Sequence, residues 1–155
     1  MNLSPNFTLE QLTNSQTAQR LGIDNTPDER AIANLQLVCA NILEPALQNF
    51  GSLAISSGFR CLEVNRAIGG AVNSQHTTGQ AVDFEVYGMD NCDLAQWVVN
   101  NLMFDQLILE FHDHEKGPND GWVHVSFSDQ ENRQQVLTAI KLANGKTKYL
   151  QGIVP

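Results

Sequence analysis

His76, Asp83 and His124 are residue types that hold divalent transition metals, and their settings in the chain suit that task. Asp83 lies in the segment 80–86 (QAVDFEV), whose period-two alternation sends Val82, Phe84 and Val86 to one face and Asp83 with Glu85 to the other. The segment 121–127 (GWVHVSF) alternates in the same way, with Val123, Val125 and Phe127 on one side and Trp122, His124 and Ser126 opposite. In 105–111 (DQLILEF), Leu107, Leu109 and Phe111 share one face, and Gln106, Ile108 and Glu110 share the other. If these segments neighbour one another in a sheet, the apolar faces line a core while Asp83, Glu110 and His124 converge on the opposite surface. His76 sits on the turn SQHTTG just before the first strand, where Gly79 permits the sharp reversal that returns the imidazole over that surface. Two imidazoles and one carboxylate leave a fourth position open, which is how catalytic zinc is held.

The elements that must position these residues are readable from caps and periodicity. Thr8 and Gln11 form a capping-box pattern that opens a helix over 9–13, and Ser15 begins a second that stops at Gly22. Thr26-Pro27-Asp28-Glu29 predicts a stronger start, with Thr26 as cap and Pro27 at the first helical position. The helix that follows carries Ile32, Leu35, Val38, Ile42 and Leu43 at helical spacing, kinks or restarts at Pro45 and ends at Gly51. Leu53–Ser57 reads as a strand, 61–68 as a short helix broken by Gly69-Gly70, about 91–102 as a helix, and 133–140 as a last strand or a helix, the strand being preferred. Trp97 falls at helical spacing on the core side of its helix. Helices first and mostly hairpin-connected strands afterwards predict an α+β fold with N-terminal helices on a mainly antiparallel sheet, in one domain over 1–155.

Composition narrows the function. The 155 residues carry 9 Lys plus Arg against 17 Asp plus Glu, a formal charge of -8, so the basic footprint needed for nucleic acid or an anionic membrane surface is missing. Cys39, Cys61 and Cys92 are scattered and odd in number, which suits reduced, partly buried thiols and neither a disulfide framework nor a thiolate zinc cage. No apolar run approaches a membrane span, and MNLSPNFTLEQL has neither the basic nor the apolar region of a signal peptide.

The composite Ser74-x-His76-x-x-Gly79-x-Ala81-x-Asp83, followed by a strand Glu and then WVHVS, resembles the zinc D-alanyl-D-alanine carboxypeptidase family. That group includes the vancomycin-resistance dipeptidases, bacteriophage L-alanyl-D-glutamate endolysins and, by fold, the hedgehog signalling domain. The chain is most similar to the small phage-type peptidases of the group, through its N-terminal segment NFTLEQLTNSQTAQRLGIDNTP, its SGFR strand end and the Asn65-to-Gly70 segment N-x-x-x-GG. The resemblance extends over roughly residues 6–150. It implies one zinc ion on His76, Asp83 and His124, Glu110 as the catalytic acid-base, and Arg60 as the group that binds a substrate carboxylate or polarises the scissile carbonyl. It also implies that the Ser74 hydroxyl supports the loop or contacts substrate. Many members place the catalytic carboxylate a few residues before the last His, whereas here fourteen positions separate Glu110 from His124. That spacing works if 112–120 is a hairpin loop, which leaves Glu115 and Asp120 as weaker candidates than Glu110.

The implied activity is hydrolysis of a peptide bond in the peptidoglycan stem, of the D-Ala-D-Ala carboxypeptidase or L-Ala-D-Glu endopeptidase type. The implied protein is a monomer that stays in the host cytoplasm until lysis or travels attached to a phage particle. The competing expectation is a non-catalytic zinc-binding virion module, structural or binding. His112 and His114 in FHDHE read as solvated loop residues, as substrate contacts (His112 foremost) or as a separate metal site. Trp122 reads as a substrate-pocket wall or a packing residue, and Glu85 as a solvated carboxylate or a partner of a zinc histidine.

Overall fold

The computed structural model describes residues 1–155. Its N-terminal half is helical. α1 (Leu9–Thr13) is opened by Thr8 and Gln11 through a reciprocal capping box, and α2 (Gln16–Leu21) runs from a Ser15 cap to a left-handed Gly22. α3 (Glu29–Val38) starts two residues later than its sequence signal suggests, because Asp28 is the cap and accepts from the Ala31 N–H. Thr26 is diverted: its N–H and hydroxyl both go to Asp24 Oδ1, a local turn that outcompetes capping. Ahead of Pro45 the helix widens into a π-turn (Cys39–Leu43), in which the Glu44 N–H reaches back to the Cys39 carbonyl, and runs on as α4 (Glu44–Phe50), the wider turn accommodating the proline that cannot donate.

β1 (Ala54–Ser57) leads to α5 (Leu62–Ala67), whose cap is the sulfur of Cys61. A 3₁₀ turn (Gln75–Thr78) precedes β2 (Ala81–Glu85), and α6 (Asn91–Asn101) follows from an Asp90 cap. β3 (Gln106–Glu110), β4 (Trp122–Ser126), β5 (Gln135–Lys141) and β6 (Thr147–Gln151) complete one six-stranded sheet in the order β1-β2-β4-β3-β5-β6. The fold is α+β in a single domain, as the element pattern predicts, and its sheet is antiparallel except where β5 lies parallel to β3. β6 has no sequence signal: Thr-Lys-Tyr-Leu-Gln is a largely exposed edge strand without an apolar face. The parallel β3–β5 pair likewise departs from a run of hairpins, since β5 returns past β3 after the 127–134 connection.

One face of the sheet packs on α3, the π-turn and α6, burying Leu35, Val38, Ile42, Leu94 and Val98 against Val82, Phe84, Leu107, Leu109, Val123 and Val125. These strand residues are the apolar sets that the alternation assigns to the core. Phe111 is the exception. It adopts a left-handed backbone (φ 53°) that ends β3 and joins Phe111 to a separate apolar cluster with Ile108, Leu137 and Ala139 on the other face. The thiols of Cys39, Cys61 and Cys92 are free, and only Cys39 is fully buried. Trp97 packs edge-on against Phe50 at 4.9 Å, partly buried beside the main core.

Candidate active site

Strand register builds most of the site. Asp83 pairs directly with His124, and His124 with Ile108, across β2-β4-β3. One step along the same face, Glu110 pairs with Trp122 and becomes a diagonal neighbour of His124. The fourteen-residue gap between Glu110 and His124 is thus closed by an antiparallel hairpin.

His76 reaches this face from the 3₁₀ turn. Gly79 closes that turn at φ +73°, where a Cβ would strike the backbone oxygen of Ala31, and the Asn34 side chain ties the Thr78 carbonyl to α3 at 2.8 Å. The Gln75 amide donates to Asp105 Oδ2 at 2.8 Å and anchors the turn from the other side. Glycine here supplies both the left-handed conformation and the close approach. The N-x-x-x-GG segment has a similar physical basis: Asn65 donates to the Ala71 carbonyl at 2.9 Å, and Gly70 lies so close to the Asn65 side chain that no Cβ would fit.

His76, Asp83 and His124 are all buried. His76 Nδ1 lies 2.6 Å from the Gly58 carbonyl. An acceptor there requires Nδ1 to carry the hydrogen, so the neutral ring presents its Nε2 lone pair to the site. Nε2 is 3.2 Å from Asp83 Oδ1 and 3.2 Å from His124 Nδ1, and His124 Nδ1 is 2.9 Å from the same carboxylate oxygen. Ligand bonds of about 2.0–2.1 Å in a tetrahedral zinc site space the donor atoms about 3.3 Å apart, so the three atoms already stand at coordination spacing. Burial pushes the His76 imidazole down towards its neutral form, against the pull of Asp83. The same burial would raise the Asp83 carboxyl, but the two imidazoles outweigh it and hold it well below the usual carboxylate range. Neutral imidazole and ionised carboxylate are the forms that bind a divalent ion. The donor set fits zinc.

Glu110 is set apart by desolvation. Burial pushes its carboxyl up to about 7, Asp83 adding to the rise while His124, Arg60 and Lys141 oppose it. Burial also lowers the Arg60 guanidinium, which is partly sustained by the charges of Asp83 and Glu110. Arg60 Nη2 donates to Ser74 Oγ at 3.4 Å, and Arg60 Nε is buried with no hydrogen-bond partner. Ser74 Oγ also accepts from the His76 N–H at 3.4 Å, so one hydroxyl joins the arginine to the histidine turn.

The remaining candidates separate. Trp122 stands beside Glu110 on the site face and meets Phe111 edge-on at 5.5 Å, with Lys141 over the Phe111 ring at 5.0 Å. Glu85 accepts from the Asn91 amide at 3.0 Å and touches neither histidine of the site. The His112 side chain is 1% exposed and turned to Asp90, which gives it no surface for substrate. His114 stands beside the same aspartate, Glu115 is an exposed loop residue, and Asp120 Oδ2 is used by the Asp113 N–H. Two residues near Glu110 carry no sequence signal. Lys141 and Tyr149 arrive from β5 and β6, because Glu110 pairs with Ala139 and Ala139 with Tyr149; burial and the Glu110 charge raise the Tyr149 hydroxyl.

An α+β domain that buries two imidazoles and a carboxylate at coordination spacing, beside a desolvated glutamate and an arginine, has the equipment of a metal-dependent hydrolase. Residues 5–126 match the family model described as Peptidase M15, and the chain belongs to that family of zinc-dependent peptidases. The matched span holds Arg60, His76, Asp83, Glu110 and His124 and ends at Ser126, before β5 and β6. No curated protein matches the chain.

Proposed function

We propose that this zinc peptidase hydrolyses a peptide bond in the stem peptide of peptidoglycan, with His76, Asp83 and His124 as metal ligands and Glu110 as the acid-base. The observation that carries the reading is the strand register, which sets Asp83 against His124 and puts Glu110 diagonally beside His124. Zinc held by the three ligands supplies Lewis acidity, bringing the ionisation of water down towards about pH 7. Glu110 takes a proton from the attacking water and returns it to the departing amine nitrogen as the C–N bond breaks. In the metal-free chain burial pushes the Glu110 carboxyl up to about 7, and the charge of a bound ion would draw it back towards the ionised form that accepts a proton.

Arg60 supplies positive charge beside the site, and its unpartnered Nε is a donor that a substrate carboxylate or the developing oxyanion would satisfy. Ser74 positions that guanidinium, and Trp122, paired with Glu110 on the same face, would form one wall of the substrate site. The small phage-type peptidases that the sequence resembles act on the wall after lysis or from the particle, and the same delivery is proposed here, as a monomer.

Purified peptidoglycan of several wall types and free D-Ala-D-Ala peptides, incubated with wild type and Glu110→Ala, test the reading by mass spectrometry. Release of stem-peptide fragments by wild type alone is expected, and their masses name the bond cut. If zinc-loaded wild type releases nothing from any of these substrates, a non-catalytic zinc-binding module replaces the peptidase.

A further inference from the structure

A second group of metal-competent side chains stands apart from the ligands described above. Asp90, His112 and His114 each present one donor atom, and these atoms lie within 4.8 Å of one another. Asp90 caps α6, with Oδ1 accepting from the Cys92 N–H at 2.7 Å. Its Oδ2 is 3.0 Å from His114 Nδ1.

His112 points to a ligand. Its side chain is 1% exposed, and its Nδ1 lies 2.8 Å from the Asp120 carbonyl, an acceptor that requires the hydrogen to be on Nδ1. With the hydrogen on Nδ1, Nε2 is the ring nitrogen left to take a ligand, and it faces Asp90. Nε2 is buried without a hydrogen-bond partner, 3.4 Å from Asp90 Oδ1. Two acceptors face each other in a buried place, which costs free energy unless a cation or a proton lies between them. A histidine whose outer nitrogen is fixed by a carbonyl and whose inner nitrogen faces a carboxylate has the setting of a metal ligand.

We propose that Asp90, His112 and His114 bind a divalent transition-metal ion of the zinc class. Two imidazoles and a carboxylate suit zinc-like ions better than calcium or magnesium, which prefer all-oxygen sites. The site joins the β3–β4 loop to the start of α6. That loop leaves β3 at Phe111, immediately after Glu110, and is already tied to the β2–α6 connection by Asn119, which donates to the carbonyls of Val86 and Met89 at 3.2 and 2.9 Å. The ion completes this clamp and restrains the loop at the base of the acid-base residue.

The test is zinc titration of the chelator-stripped full-length protein, counting bound ions and following the His112 ring nitrogens by NMR. Wild type is expected to bind two equivalents, one for each cluster. H114A and D90N are each expected to bind one, with unchanged far-UV circular dichroism; asparagine retains a capping oxygen for α6. H76A is expected to keep the second equivalent, and zinc is expected to shift the His112 Nε2 resonance. Wild-type zinc content in both H114A and D90N would overturn the proposal. So would a His112 Nε2 that already carries a proton in the metal-free protein and does not respond to zinc. A single equivalent lost in H76A also counts against this site alone, whereas a single equivalent lost in D90N but kept in H76A counts against the other.

Discussion

Replacing Glu110 by glutamine should abolish turnover yet stabilise the metal-free protein, and the size of that gain depends on pH in a defined direction. Burial raises the Glu110 carboxyl from 4.5 to about 7 in the folded chain. At about 1.4 kcal/mol for each tenfold change in acidity, ionised Glu110 costs the fold up to about 3 kcal/mol, and about 2 kcal/mol once its residual contact with water is allowed for. A folded pKa raised above the unfolded one makes an acid bind its proton more tightly in the native state. Stability therefore falls as pH rises from 4.5 to 7, and the full cost is present above 7. The glutamine side chain has the same shape and does not titrate. In chelator, E110Q should melt roughly 4–8 °C above wild type at pH 8, taking about 2–4 °C per kcal/mol for a domain of this size. At pH 5 the gain should shrink to about a quarter of that. Circular dichroism melts at the two pH values provide the comparison. Equal melting temperatures at pH 8, or a gain as large at pH 5, would refute the claim that the glutamate is held in a desolvating site.

Gly121→Ala should destabilise the protein by more than about 2 kcal/mol and lower kcat, because the new Cβ meets the Glu110 backbone oxygen at φ +72°; chemical denaturation and steady-state kinetics read the two effects. Asp105→Ala leaves Arg133 and Gln75 without their acceptor and should cost about 2 kcal/mol while weakening zinc binding through the His76 turn, as urea titration and metal competition would show. The hydrogen bond from Arg133 holds the Asp105 carboxyl below its ordinary value, so its stabilisation is present above pH about 3.9 and lost as pH falls below that; the difference between wild type and Asp105→Asn should narrow accordingly. Removing zinc with chelator should lower the melting temperature of wild type and leave that of a His76→Ala, His114→Ala double variant unchanged, in differential scanning calorimetry.

What the sequence reveals of this molecule depends on whether a residue's task is set locally. The alternation of 80–86, 105–111 and 121–127 is a two-residue rule enforced by one buried face, so the segregation of Asp83, His124 and Glu110 from the core valines and leucines is legible without coordinates. Gly79 is legible for the same kind of reason, since a 3₁₀ turn closed at positive φ needs it. The cap of α3 is misplaced because Thr26 and Asp28 are both good caps, and the choice between them falls to Asp24. Phe111 escapes the alternation rule because one left-handed residue moves its ring to the opposite face, where the partners come from β5. Lys141, Tyr149 and β6 are silent in the sequence because a parallel pairing across a crossover connection brings them to Glu110, and no local pattern encodes it. His112 is legible as a residue that could bind a metal, but its burial against Asp90 joins elements more than twenty residues apart and emerges only on folding.

Zinc content and peptidoglycan hydrolysis, measured on the same preparations of wild type, E110Q and His124→Ala, decide whether these residues hold the metal and move the proton. E110Q should keep the wild-type zinc content and release no stem-peptide fragments, and His124→Ala should lose one equivalent of zinc together with all activity. Fragment release by E110Q at the wild-type rate, or undiminished zinc in His124→Ala, would contradict the assignment of these residues.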